Sequence, residues 1–191
     1  MRWISAILLA SAMAVAAPPA GAAECANVRF PDTKEIAGQT LKLNGLGLRE
    51  ATIFKVDVYV AALYLPKTSA SAEEIIAAPG PKFLSMRFVR GVSTEDLTGA
   101  WQEGFGKAAG DQLSALQDRV DQLNRWMDAL NKGDTMAFTY VPGTGTEIAV
   151  RGAAKGVIPG DDFARALFTV WIGPEPPNQG LKAGLLGGGC G

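Results

Sequence analysis

The sequence predicts an α+β fold in which a large antiparallel sheet is covered by helices mainly on one face. Three observations predict it. Apolar residues recur at every second position in segments grouped early and late in the chain, the period of a strand with two different faces. Between and after these segments they recur at steps of three and four, the period of a helix that buries one stripe. No internal repeat or linker-like stretch divides the chain, so it reads as one domain.

Residues 1–23 read as an address and not as fold. Arg2 precedes the apolar run WISAILLASAMAVAA, and small residues ending AGAA follow, the three-part layout of a secretory signal peptide with cleavage near Ala22 or Ala23. The run is short, Pro18 and Pro19 interrupt its end, and no later stretch approaches the roughly 20 apolar residues a spanning helix needs. Glu24 directly before Cys25 departs from a lipoprotein signal. The expectation is a domain at 24–191, exported to the periplasm or secreted, with no integral membrane segment after processing. Removing the leader takes away Arg2 and no acid, leaving 17 basic against 19 acidic residues and a net charge of −2. That balance recruits neither nucleic acid nor an anionic membrane.

Taken in order, TLKLNGLGLR alternates Leu41 and Leu43 with polar partners before Gly45 and Gly47. It predicts a strand whose glycines permit a bulge or a close approach. From Phe54 the even positions Phe54, Val56, Val58, Val60 and Ala62 are apolar while the odd ones begin Lys55, Asp57, Tyr59, a second strand with two faces. SAEEIIAA is a short helix opened by Ser71 and closed before Pro79 and Gly80. KFLSMRFV is the next strand. Ser93, with Asp96 three residues on, starts a capped helix that repeats Leu97, Trp101, Phe105 and Ala108. A second helix repeats Leu113, Leu116, Val120, Leu123, Met127 and Leu130, and both stripes are core packing. DTMAFTYVPGTGTEIAVRG has the form of a hairpin turning at Pro142 to Gly145. KGVIPGDDFARALFTVWIG adds a brief strand and a helix begun at Gly160 or Asp161, and PNQGLKAGLLGGG a marginal last helix and a loose tail.

The chain contains no histidine, which excludes a Ser-His-Asp triad, a histidine base and most zinc sites. No metal or cofactor is expected. Cys25 and Cys190 are the two cysteines. In an oxidising compartment they join the two ends as a disulfide, the alternative being two free thiols. Gly45-x-Gly47 and Gly143-x-Gly145 are turn chemistry and not dinucleotide fingerprints. Asp161 and Asp162 are read as helix-start acids, as are Glu73 and Glu74. Arg49 stands out because a guanidinium set beside a long apolar strand must reach water or meet an anion or carbonyl. Tyr59 stands out with it.

LNGLGLR, FKVDVYVAALYLP, VSTEDLTGAWQEGF, KGDTMAFTYVPGTGTEIAV and the stretch from Lys155 to Gly187 occur in this order. Together they resemble the chalcone isomerase family, and within it the bacterial chalcone isomerase-like branch, over about residues 34–186. The resemblance implies an open-faced β-sandwich: a large antiparallel sheet, a helical layer and a cleft between them for a flat or elongated apolar ligand. In the plant isomerases the arginine after Gly-x-Gly-x polarises the substrate ketone, and Arg49 falls on it. Their strand threonine falls on Tyr59, their tyrosine and asparagine near Ser93 and Ala100, and their late threonine near Val170. No Tyr or Asn occurs from Ser93 to Ala109, so the water network that steers flavanone formation is expected to be missing.

An arginine with a tyrosine at these two places is similar to the fatty-acid-binding members of the superfamily, where the pair grips a carboxylate. The expectation is therefore an exported, non-catalytic protein binding a small apolar acid or other amphiphile through Arg49 and Tyr59. Ten residues of straight strand would hold the pair roughly 33 Å apart, so the chain must bend or reverse, near Glu50 to Thr52, for them to converge. Two alternatives stand beside it. One is an isomerase or lyase in which Arg49 stabilises an enolate and Tyr59 or Lys55 handles a proton. The other is a structural adaptor for an envelope protein, with Arg49 ion-paired to Asp57 or Glu50.

Overall fold

The computed structural model describes residues 21–51 and 54–190. Most of the predicted leader, residues 1–20, lies outside them, as does Thr52. Seven strands form one antiparallel sheet in chain order: β3 (Thr33–Ile36), β4 (Gln39–Ala51), β5 (Val56–Leu65), β6 (Lys82–Phe88), β7 (Thr135–Val141), β8 (Gly145–Val150) and β9 (Ala153–Ile158). A separate two-stranded ribbon is made by β1 (Ala22–Cys25) and β2 (Val28–Pro31). The helices are α1 (Ala72–Ala77), α2 (Thr94–Ala109), α3 (Leu113–Arg125), α4 (Asp161–Ile172) and α5 (Gln179–Ala183). Among the described residues no helix is long and apolar enough to cross a membrane.

The core has two layers. Between sheet and helices, Leu63, Leu84, Phe138 and Ile148 pack against Trp101, Phe105, Leu123, Phe163 and Trp171. On the other face Val60, Ala62, Tyr64 and Leu41 pack against Cys25, Val28 and Phe30 of the ribbon. Leu63 and Val60 are both fully buried, so β5 is apolar on both faces past Tyr59. The predicted alternation of an apolar and a polar face therefore holds only for its first residues. The ribbon supplies the reason, since it dries the face that would otherwise be wet.

The helix caps follow the sequence. Ser71 and Ser93 accept hydrogen bonds from the N–H groups of Glu74 (3.2 Å) and Asp96 (3.0 Å). Other expectations are revised. Helix α3 ends at Arg125, because Leu130 leaves to exchange backbone hydrogen bonds with Val92 at 2.8 and 2.9 Å, although Met127 and Leu130 remain in the core. Asp161 and Asp162 do stand in the first turn of α4 as helix-start acids, but the N-cap itself is Gly160 and neither side chain caps it. Asp162 instead takes a two-pronged bond from Arg119 (2.8 and 2.6 Å), and Asp161 accepts from the Tyr140 hydroxyl (3.0 Å).

The tail is not loose. Helix α5 and the wide turn Gly184–Gly188 lie directly on β4. A Cβ on Gly47 would stand 2.3 Å from the Leu181 carbonyl oxygen, and one on Gly45 would stand 2.1 Å from that of Gly184. Only glycine permits this approach. Asn44, the unpaired residue of a bulge between Leu43 and Gly45, donates to the Leu185 carbonyl at 2.7 Å. Beyond the turn, Cys190 is disulfide-bonded to Cys25 with Cα atoms 5.4 Å apart. The bond ties the ribbon on one face of the sheet to the tail on the other.

Candidate functional site

The chain reverses between Ala51 and Val56, which pair with each other, and this brings Arg49 directly opposite Tyr59 in the β4–β5 ladder. Directly opposed residues share a face with Cβ atoms about 5 Å apart, so the distance set by an extended strand disappears. One step further the register shifts: Glu50 pairs with Asp57, leaving Val58 as a bulge. Bulges re-aim side chains, and here Val58 and Tyr59 both face one cavity.

That cavity, about 400 Å³, lies where β4, β5 and β6 meet α2 and α4. Its apolar wall is Met86, Phe88, Leu97, Trp101, Val170 and Trp171. The α4–α5 connection adds Glu175 and Pro177. The charged lining is mixed, with Arg49, Arg90 and Lys107 against Asp96, Glu103 and Glu175.

Tyr59 is 8% exposed. Its oxygen accepts a hydrogen bond from Trp171 Nε1 at 3.1 Å, and among the described residues no acceptor takes its own proton. Burial pushes the phenol up to about 12, with the indole bond and the Arg49 charge opposing, so it is a neutral donor at physiological pH. Its ring lies 5.4 Å from that of Phe88. Trp101 stands edge-on to Trp171 at 5.6 Å and gives its N–H to the Met127 sulfur at 3.3 Å.

Arg49 is half-buried and donates to the Glu50 carbonyl. Among the described residues it makes no ion pair, with Asp57, Glu50 or any other acid. Its field does reach Glu103, whose carboxyl is held below the usual range first by the Lys107 hydrogen bond and least by Arg49. Lys55 sits exposed in the turn at φ 50° and does not line the cavity. Ala100 and Val170 line it, whereas Ser93 is spent on the α2 cap.

Sequence reasoning missed the Trp171–Tyr59 bond and the mixed charges of the lining. A tryptophan on an apolar helix carries a signal for the first, because a buried indole N–H needs a partner. Which partner it finds depends on how α4 crosses the sheet.

The sequence profile of the chalcone isomerase-like family matches residues 22–187. The chain belongs to that family. No curated protein matches it. Among solved structures, this chalcone isomerase-like protein is similar to the Arabidopsis thaliana fatty-acid binding protein AtFAP1. The TM-score is 0.68 at 19% identity, over 84% of this chain and 92% of that one, a likeness that establishes the fold. The family match begins at the first residue of β1 and ends inside the turn that follows α5. Ribbon and docked tail thus belong to the chalcone isomerase-like domain.

Proposed function

We propose that this protein is exported after loss of a leader at residues 1–23 and binds a small apolar acid or fatty-acid-like amphiphile in the cleft, without catalysis. The cut takes Ala22 and Ala23 from the start of β1 and leaves the Cys25 end of the ribbon. The carboxylate is met by Arg49 and by the Tyr59 hydroxyl. One observation carries the reading: a buried phenol whose proton no described residue accepts lines an apolar cavity directly across the ladder from an arginine that no acid among the described residues pairs with. A carboxylate answers both groups, accepting from the guanidinium and from the neutral O–H, while the aromatic wall accepts the hydrocarbon. The fatty-acid binding named for the similar Arabidopsis protein supports the same ligand class. The oxidised Cys25–Cys190 pair accords with an exported protein.

The test uses protein purified under native conditions, extracted with denaturant and analysed for lipids by mass spectrometry, followed by titration with a medium-chain fatty acid and the alcohol of the same length. The expected result is acid binding that Arg49→Ala weakens by about 1.5–3 kcal/mol, with the alcohol unaffected. Equal losses for acid and alcohol reject the carboxylate role. Cyclisation of a chalcone above the buffer rate, abolished by Arg49→Ala, replaces the binding reading with the enzymatic one.

A further inference from the structure

A second cavity, of about 170 Å³, opens between α1, the start of β6 and α4. Lys82 begins β6 and Phe88 ends it, so this cavity and the main cleft lie roughly 20 Å apart along the strand. Lys82 is 3% exposed although charged. Its ammonium donates to the Ala78 carbonyl at 2.6 Å and, at 3.4 Å, to that of Gly80, and it lies 5.1 Å from the centre of the Tyr140 ring. Those partners are neutral. Arg165 lines the same cavity, is exposed, and makes no ion pair among the described residues.

The only carboxylate in the lining is Asp161, which already accepts from Tyr140. Two cations thus face one small space against a single acid. Burial first, and then repulsion from Arg165, pushes the Lys82 amine down to about 8, with Asp161 opposing. At roughly 30 Å³ per water, the space of about 170 Å³ suits a phosphate or a short carboxylate and is too small for a long alkyl chain.

We propose that this cavity is a binding site for a small oxyanion, phosphate or carboxylate, held between the Lys82 ammonium and the Arg165 guanidinium. Charge-assisted donors of these two kinds suit such an anion, and the excess positive charge has no other neutralising group in the lining.

Isothermal titration of the full chain with inorganic phosphate, and separately with acetate, at an ionic strength fixed by chloride tests it. Saturable binding of at least one of the two is expected, and the stronger binder identifies the source of the oxyanion. Arg165→Gln is expected to weaken that binding roughly tenfold, while Lys132→Gln, which removes one charge at an exposed position outside the cavity, leaves it unchanged. Lys82→Met abolishes it if the variant folds. If that variant does not fold, the Arg165 substitution decides alone. No saturable binding of either anion, or wild-type affinity in Arg165→Gln, overturns the proposal.

Discussion

Burial of the Tyr59 hydroxyl against an indole N–H governs both its charge and its part in stability. A phenol raised from 10 to about 12 in the folded protein loses its proton later than in the unfolded chain. The unfolded state therefore binds fewer protons between these values, and stability falls as pH rises through them. Tyr64, also raised to about 12 by burial, acts in the same window, each contributing about 2–3 kcal/mol that is present below pH 10 and lost by pH 12. Lys82 works the other way. Its amine is depressed to about 8, so the cost of burying its charge is relieved as pH rises from 8 towards 10.5. Urea unfolding across this range is expected to show a gain of about 2–3 kcal/mol between pH 8 and 10 and a larger loss beyond pH 10. Tyr59→Phe leaves the Trp171 N–H without its acceptor and is expected to cost about 1–3 kcal/mol, read by the same unfolding curves. At this scale the sequence named Arg49 and Tyr59, but it reached their meeting only through the resemblance, which required a reversal near Glu50 to Thr52. The reversing segment, from Ala51 to Val56, contains no Gly, Pro, Asn or Asp to mark a turn, and Lys55 takes positive φ without the usual residue type.

The elements that carry their own local signal are those the sequence reveals. Ser71 and Ser93 cap as their spacing demands, the α2 and α4 stripes face the core, and β7 and β8 meet around the Pro142–Gly145 turn. What was hidden depends on partners distant in the chain. The ribbon offers only Val28 and Phe30 as an alternating pattern, too short to call a strand pair. The end of α3 is set by Val92 across a backbone bridge, and the α5 segment earns its order from the glycines of β4. That contact is testable. Gly47→Ala drives a methyl into the Leu181 carbonyl and is expected to cost about 1–3 kcal/mol. Because Glu175 and Pro177 just before α5 form part of the cavity wall, the variant is also expected to bind fatty acid more weakly in equilibrium titration. Ser93→Ala, by contrast, should cost only about 1 kcal/mol and leave ligand affinity near wild type, since Ser93 does not line the cavity.

Across the whole molecule, a single antiparallel meander carries helices on one face and a ribbon on the other, with the Cys25–Cys190 bond joining the two sides. The two cysteines are 165 residues apart, and in the chain-entropy picture a loop that long stabilises the fold by about 5 kcal/mol. Cys190→Ser, or reduction, is expected to lower the melting temperature by about 10–20 °C, measured by calorimetry with and without reductant. The reduced protein is expected to lose more ligand affinity than its melting curve alone would suggest, because the strap holding α5 is released. The bond also imposes an order of events. Its first thiol is made at the outset of the domain and its second only after all seven sheet strands have been synthesised, so closure must follow completion. A chain truncated anywhere between them is left with an unmatched thiol.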